Sequence, residues 1–184
     1  MYKAGEKLIN KQPLVSIAII TFNQKRFLKE CIESCLEQDY KNIEIVIADD
    51  GSTDGTHEML QRYSSLYPGK FILKLSKMNQ GITLNSNVAH FACSGKYIAW
   101  MGGDDVMLPG KIKLQVKYME LNPKCAICYH QHEAFDSETG KVLYYSFKKY
   151  GQHSGDIQKA IKYGTFNGAL ATMVRRECTP SKGF

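Results

Sequence analysis

Tyr97-Ile-Ala-Trp-Met-Gly-Gly-Asp104-Asp105 is an apolar run that stops abruptly in two glycines and two carboxylates. Its first residues are mostly β-favouring and almost unbroken in apolar character, as expected of a strand covered on both faces of a sheet. Gly102-Gly103 then lets the backbone turn and come close to a ligand. Asp104 and Asp105 therefore fall at the carboxyl end of a strand, the edge where ligands sit in open α/β sheets. Paired acids there suit a hard divalent cation that itself carries phosphates. A solvated turn with two acids is the competing reading, and this stretch by itself leaves both open.

Upstream, Val15-Ser-Ile-Ala-Ile-Ile-Thr21 reads as a central parallel strand. Phe27, Leu28, Cys31, Ile32, Cys35 and Leu36 then mark one face of a helix. A second strand, Ile43-Glu-Ile-Val-Ile-Ala-Asp49, runs straight into Asp50-Gly-Ser-Thr-Asp54-Gly55. Ser52, Thr53 and Asp54 are expected to accept from the free amides of the next helix, which carries Met59, Leu60 and Tyr63. Pro68-Gly69 closes that helix, Phe71 to Ser76 is a third strand, and Lys77 to Gly81 is a loop feeding a helix over Ile82 to Ala92. Beyond Asp105, Leu108-Pro109-Gly110 turns into a helix with Ile112, Val116 and Met119 on one face, ended by Asn122-Pro123.

This alternation predicts an α/β protein with a doubly wound, mostly parallel, Rossmann-like sheet over residues 14–123, preceded by a polar lead-in over residues 1–13. Residues 124–184 read as a mixed appendage. It holds a hairpin of Ala126 to Phe135 with Val142 to Phe147 around Asp136-Ser-Glu-Thr-Gly140, and a Tyr- and Lys-rich loop. A helix near Ile157 to Tyr163 and a strand over Ala169 to Arg175 follow.

With 184 residues the chain is large enough to bury roughly 70% of its unfolded surface without staples. Its longest apolar run, Leu14 to Ile20 broken by Ser16, is too short to span a bilayer, and the polar start lacks a signal-peptide core. A cytoplasmic location is expected. Cys31 and Cys35 fall four apart on a helix face and read as reduced core thiols. Cys125-Ala-Ile-Cys128 has the spacing of half a zinc site, but no second pair follows. The net charge of +6 is spread along the chain, so a solvated basic face is favoured and no nucleic-acid partner is expected. Tyr144-Tyr145 with Lys148-Lys149-Tyr150 is either a solvated loop or a peripheral contact with the inner face of a membrane.

Two strands that end in acid pairs on one edge of a parallel sheet imply a shared site. Asp49 and Asp50 could accept from the N–H groups of a base or from a ribose, while Asp104 and Asp105 could hold a cation between two phosphates. A nucleoside diphosphate needs both. Neither G-x-G-x-x-G nor G-x-x-x-x-G-K-[ST] is present, which sets aside dinucleotide and P-loop sites.

With these residues the chain resembles the family-two glycosyltransferases of the A-type nucleotide-diphospho-sugar fold, over about Pro13 to Phe184. Val15 to Asn23 is similar to the family's opening strand, Ala48 to Thr56 to its Asp-Asp-Gly-Ser segment, and Asn79-Gln-Gly81 with Asn87 to its Asn-x-Gly segment. Met101-Gly-Gly-Asp-Asp105 lies where the family has a metal-binding D-x-D. The resemblance implies that Thr21, Asn23, Asp49 and Asp50 contact the nucleoside, that Asn79 and Gly81 line the donor pocket, and that Asp104 and Asp105 hold Mn²⁺ or Mg²⁺. Gly102 stands where the family has the first acid of D-x-D. The ribose contact made by that acid is thus left to Asp105 or is missing.

The implied reaction is inverting transfer of a sugar from a nucleotide-diphosphate donor, expected to be a UDP-sugar. The acceptor is a hydroxyl of a saccharide or lipid-linked molecule, in cell-surface polysaccharide or glycolipid synthesis. The family's base lies in an acidic pair shortly after a Gly-Phe segment, so the resemblance puts it beyond Phe184. Among the later acids, Glu133, Asp136, Glu138, Asp156 and Glu177 read as surface or turn residues. His130 and His132 could reach the acceptor side. A non-catalytic module that holds a nucleotide sugar is the alternative for this polypeptide.

Overall fold

The computed structural model describes residues 12–152, 154–156, 158–159 and 168–183. Four strands, β1 (Val15–Thr21), β2 (Ile43–Asp49), β3 (Phe71–Leu75) and β4 (Tyr97–Gly102), alternate with helices α1 (Lys25–Leu36), α2 (Thr56–Leu66) and α3 (Ile82–Ala92), and α4 (Lys111–Leu121) follows β4. All four strands pair in parallel, in the order β3-β2-β1-β4. The doubly wound α/β sheet expected from the sequence is present.

The side chains explain the layering, because successive strand residues face opposite sides. Val15, Ile17, Ile19, Ile45, Ile47, Tyr97, Ala99 and Met101 pack with Leu28, Ile32, Leu60, Ile112 and Met119 into one core layer. Ala18, Val46 and Ile98 face the other way, toward Cys93, Ala92 and Trp100. The helices α1, α2 and α4 thus cover one face, and α3 lies on the other. Cys31, Cys35 and Cys93 are free and buried, as expected of core thiols.

The last third differs from its sequence reading in several places. Ala126 to Phe135 is not one strand: β5 (Ile127–Tyr129) joins the main sheet, while β6 (Glu133–Phe135) pairs with β7 (Val142–Tyr145) in a separate hairpin. The break is fixed at His132, whose N–H donates to Ser146 Oγ while its carbonyl accepts from Ser146 N. Phe147 and the Lys148-Lys149-Tyr150 run fall in a short helix, α5 (Ser146–Tyr150), rather than in a strand and a loop. Ala169 to Ala171 forms a 3-10 turn, and the strand is confined to β8 (Thr172–Arg175). The helix expected near Ile157 to Tyr163 lies largely outside the described residues.

β8 enters the main sheet antiparallel, between β4 and β5. Buried Arg175 fastens it there: Nε donates to the Cys125 carbonyl, Nη1 to the Tyr97 hydroxyl at 3.2 Å, and Nη2 to the Met119 carbonyl. One guanidinium therefore ties β8, β4 and α4 together, using the fork of donors that lysine lacks. No helix among the described residues is long and apolar enough to cross a membrane.

Candidate functional site

The strand register sets the site. Thr21 pairs with Asp49, Asp49 with Leu75, and Ile20 with Gly102, so four parallel strands finish along one line. Thr21 and Asp49 end their strands at this edge, and the loops that leave it carry Asn23, Asp50, Asn79, Gly81, Asp104 and Asp105.

Between β1 and β2 the loops are laced by side chains. Thr21, almost fully buried, donates its hydroxyl to Gln24 Oε1 at 3.2 Å, and its carbonyl accepts from Asp50 N. Asn23 has φ 51°, the one positive value among described non-glycine residues. Its N–H donates to Ser52 Oγ at 2.7 Å, and its Oδ1 accepts from Thr53 N at 2.8 Å. These bonds hold a backbone that asparagine tolerates better than most residues.

The sequence reading turns Asp49 and Asp50 toward a nucleoside. In the structure both carboxylates are engaged by the chain itself. Asp49, fully buried, accepts from Ser52 N at 2.9 Å, Ser52 Oγ at 2.5 Å and His57 Nε2 at 2.6 Å. Asp50, 3% exposed, accepts from Gln80 N at 2.8 Å and Gly81 N at 2.9 Å. It thereby clamps the Asn79-Gln80-Gly81 loop and the start of α3, where a negative charge is also favoured by the helix dipole. Exposed Asn79 adds an Oδ1 contact to Gly81 N. Gly51 makes this approach possible: at φ 78°, a Cβ would lie 2.6 Å from the Met78 carbonyl carbon.

The expected helix caps are only partly found. Ser52 and Thr53 cap nothing, because Ser52 is committed to Asp49 and Asn23. Asp54 instead serves two helices: Oδ1 accepts from Thr56 N and Thr56 Oγ1 of α2, and Oδ2 from Lys25 N of α1. Although desolvation opposes it, this set of donors holds the Asp54 carboxyl below its ordinary range.

The acids after β4 are arranged differently. Asp104 is exposed and Asp105 half-buried. A Cβ at Gly102 would meet Asp104 Oδ1 at 2.8 Å and Asp105 Oδ2 at 3.0 Å. The two carboxylates thus approach the same side of Gly102. Asp105 Oδ2 also accepts from Gly102 N at 2.9 Å. Burial raises the Asp105 carboxyl above the ordinary range; the Gly102 N–H opposes the shift, nearby Asp104 adds to it, and His132 and Lys111 act against it. An added positive charge at this place would be favoured.

Several participants have no sequence signal of their own. Gln24 and His57 are placed only by the paths of the loops, and Ser52, expected as a helix cap, bridges Asp49 and Asn23 instead. Lys111, at the start of α4, is 7% exposed and donates to Gln115 Oε1 at 3.0 Å. Burial pushes it down to about 8, against the pull of Cys35, Cys128 and Asp105. His130 and His132 lie in the link between β5 and β6. His132 is close enough to Asp105 to act on it electrostatically. Asp136 closes the hairpin turn by accepting from Glu138 N, Thr139 N and Thr139 Oγ1, and Glu138 pairs with Arg26 at 2.7 Å. Those two acids are turn and surface residues, as read from the sequence.

Comparison with known proteins bears on the family and the fold. The family model described as "Glycosyl transferase family 2" matches residues 16–177. Among curated relatives, the putative glycosyltransferase EpsE of Bacillus subtilis is 37% identical over 112 residues, 61% of this chain and 40% of that protein. Chondroitin synthase of Escherichia coli is 33% identical over 141 residues, 74% of this chain and 20% of that protein. The chain thus spans well under half the length of these relatives. Among solved structures, the mannosyltransferase PcManGT of Pyrobaculum calidifontis, in complex with GDP-Man and Mn²⁺, superposes with TM-score 0.59 at 23% identity, over 64% of this chain and 35% of that one. S. aureus TarS 1–349 in complex with UDP-GlcNAc gives TM-score 0.63 at 18% identity, over 89% and 45% respectively. These last two show a shared fold. With the family model covering most of its length and an acid-tipped parallel sheet of the same fold, the chain belongs to glycosyl transferase family 2.

Proposed function

We propose that this chain binds a nucleoside-diphosphate sugar along the carboxyl edge of its sheet, as the donor-binding part of an inverting glycosyltransferase. The observation that carries the reading is the pair of acid-tipped strands flanking β1, with two carboxylates converging over Gly102. The nucleoside sits against Thr21, Asn23 and Asp50, with Asp49 behind them shaping the loop. Asn79 and Gly81 line the donor pocket. A UDP-sugar is the proposed donor, in keeping with the UDP-GlcNAc carried by a structure of the same fold.

Mn²⁺ or Mg²⁺ is the proposed cofactor. Among the described residues no three His, Cys, Asp or Glu side chains form a ready-made cation cage. Asp104 and Asp105 nevertheless fit a hard cation, since their oxygens meet over one glycine and burial of Asp105 favours a neutralising charge. They would hold the cation, which supplies charge stabilisation to the departing diphosphate. The chain's own residues bind and orient the donor. The acceptor is proposed to be a hydroxyl of a saccharide or lipid-linked molecule in cell-surface polysaccharide or glycolipid synthesis, at the inner face of the membrane.

A thermal-shift series with UDP and GDP, each with and without Mn²⁺ or Mg²⁺, tests the reading. A ligand at about 100 times its Kd adds roughly 2.7 kcal/mol, which raises Tm by roughly 5–10 °C for a domain of this size. Absence of any shift at millimolar nucleotide would overturn the proposal. Binding by the whole protein without sugar transfer would favour a non-catalytic nucleotide-sugar module.

A further inference from the structure

His57, the second residue of α2, reaches back from the helix to the end of β2. Its Nε2 lies 2.6 Å from Asp49 Oδ2, and its side chain is 30% exposed while that of Asp49 is 0%. A carboxylate offers only acceptors, so the ring is assigned as the donor, from Nε2. The other donors to Asp49 both come from Ser52, through N at 2.9 Å and Oγ at 2.5 Å. Ser52 thereby meets both oxygens, N at Oδ2 and Oγ at Oδ1, but both bonds move with one loop residue. His57 supplies a donor from a different element. Leu60, one turn further along α2, is fully buried in the core, so that donor is fixed to the scaffold.

The consequence runs along a chain of bonds. The Ser52 hydroxyl, having donated to Asp49, presents its lone pair to Asn23 N at 2.7 Å, and Asn23 Oδ1 in turn accepts from Thr53 N at 2.8 Å. Asn23 occupies a left-handed backbone, φ 51°, which persists only while its neighbours determine it. The structure assigns His57 as a positioning residue for the nucleoside seat: it sets the plane of the Asp49 carboxylate, through which Ser52 holds Asn23 in its binding conformation. This rests on the nucleotide reading of the same edge. His57 itself need not touch the ligand; it follows β2, whereas Asp104 and Asp105 follow β4.

The test is calorimetric titration with UDP and, in parallel, GDP at 15 °C, well below the melting temperature of each variant, using the parent, His57→Phe and His57→Gln. The Gln amide nitrogen can occupy the place of Nε2; Phe keeps the bulk and has no donor. His57→Phe is expected to bind the nucleotide at least tenfold more weakly, with the same loss for the bare nucleoside and an unchanged Mn²⁺-dependent increment. His57→Gln is expected within threefold of the parent. A folded His57→Phe that binds within twofold of the parent overturns the assignment, as does a His57→Gln as weak as His57→Phe. Should the Phe variant not fold, His57→Asn replaces it, because its shorter amide does not reach Asp49. A parent that binds neither nucleotide overturns the nucleotide reading itself, and this assignment with it.

Discussion

Replacing Asp50 with asparagine exchanges one carboxylate oxygen for an amide, yet the structure makes that exchange expensive. Both oxygens are in use: Oδ1 accepts from Gln80 N at 2.8 Å and Oδ2 from Gly81 N at 2.9 Å. Asparagine keeps one acceptor and points an NH₂ at the other backbone N–H. One charge-assisted bond disappears, worth roughly 1.5–3 kcal/mol, and a backbone donor is left facing a donor, at about 1–3 kcal/mol more if it stays dry. The loss of negative charge at the α3 N-terminus adds roughly 0.3–1 kcal/mol. Partial rescue by solvent near the loop sets the expected total at about 2–4 kcal/mol. For a domain of this length, that lowers Tm by roughly 4–16 °C. Thermal denaturation followed by circular dichroism reads the shift, and hydrogen exchange locates it. The amides of Gln80 and Gly81 are expected to lose protection while those of β1 and β4 keep theirs. A Tm within 2 °C of the parent, with both amides still protected, would refute the clamp.

Other consequences can be checked with less work. Asp104→Asn is expected to remove the Mn²⁺-dependent part of nucleotide binding while leaving the fold intact, because a neutral amide is a poor partner for a hard cation; isothermal titration with and without metal reads it. Lys111→Met should be more stable than the parent near neutral pH. The buried ammonium, pushed down to about 8, costs about 3 kcal/mol relative to an ordinary lysine. Between about pH 8 and 10 the unfolded chain binds more protons than the folded one, so the parent gains stability as pH rises and the gap to the variant closes. A gap that stays constant from pH 7 to 10 would contradict this. Arg175→Met leaves the Cys125 and Met119 carbonyls without this donor and the Tyr97 hydroxyl with its bond to Glu120 alone, and should lower stability by about 3 kcal/mol in urea denaturation.

The layered sheet was legible because its signals are local and repeated. Nearly continuous apolar runs such as Val15 to Thr21 and Ile43 to Asp49 mark buried parallel strands, and the change to helical period after each one fixes the winding. The edge position of Asp49, Asp50, Asp104 and Asp105 follows from the same signals, since each pair falls at or just past the end of a strand. What those acids touch was not legible. The Asp50 contacts to Gln80 and Gly81 cross about thirty residues and depend on the close approach that Gly51 allows. His57 carries no pattern that separates it from a solvated helix residue until the loop path is known.

The last third was less readable for a related reason. Ala126 to Phe135 has uniform strand character, but its two ends belong to different sheets, and the division depends on the two-way bond between His132 and Ser146. β8 enters antiparallel because Arg175 finds partners on β4, on α4 and just before β5, which no local window contains.

The central claim is that one edge of this sheet holds a nucleoside diphosphate together with a divalent cation. Calorimetric titration of the parent and Asp104→Asn with UDP, in Mn²⁺ and in EDTA, tests it most directly. The account predicts tighter binding in Mn²⁺ for the parent, a single weaker affinity in both buffers for Asp104→Asn, and residual metal-independent binding in each. Equal affinities for the two proteins in Mn²⁺, or no heat from UDP in any buffer, would contradict it.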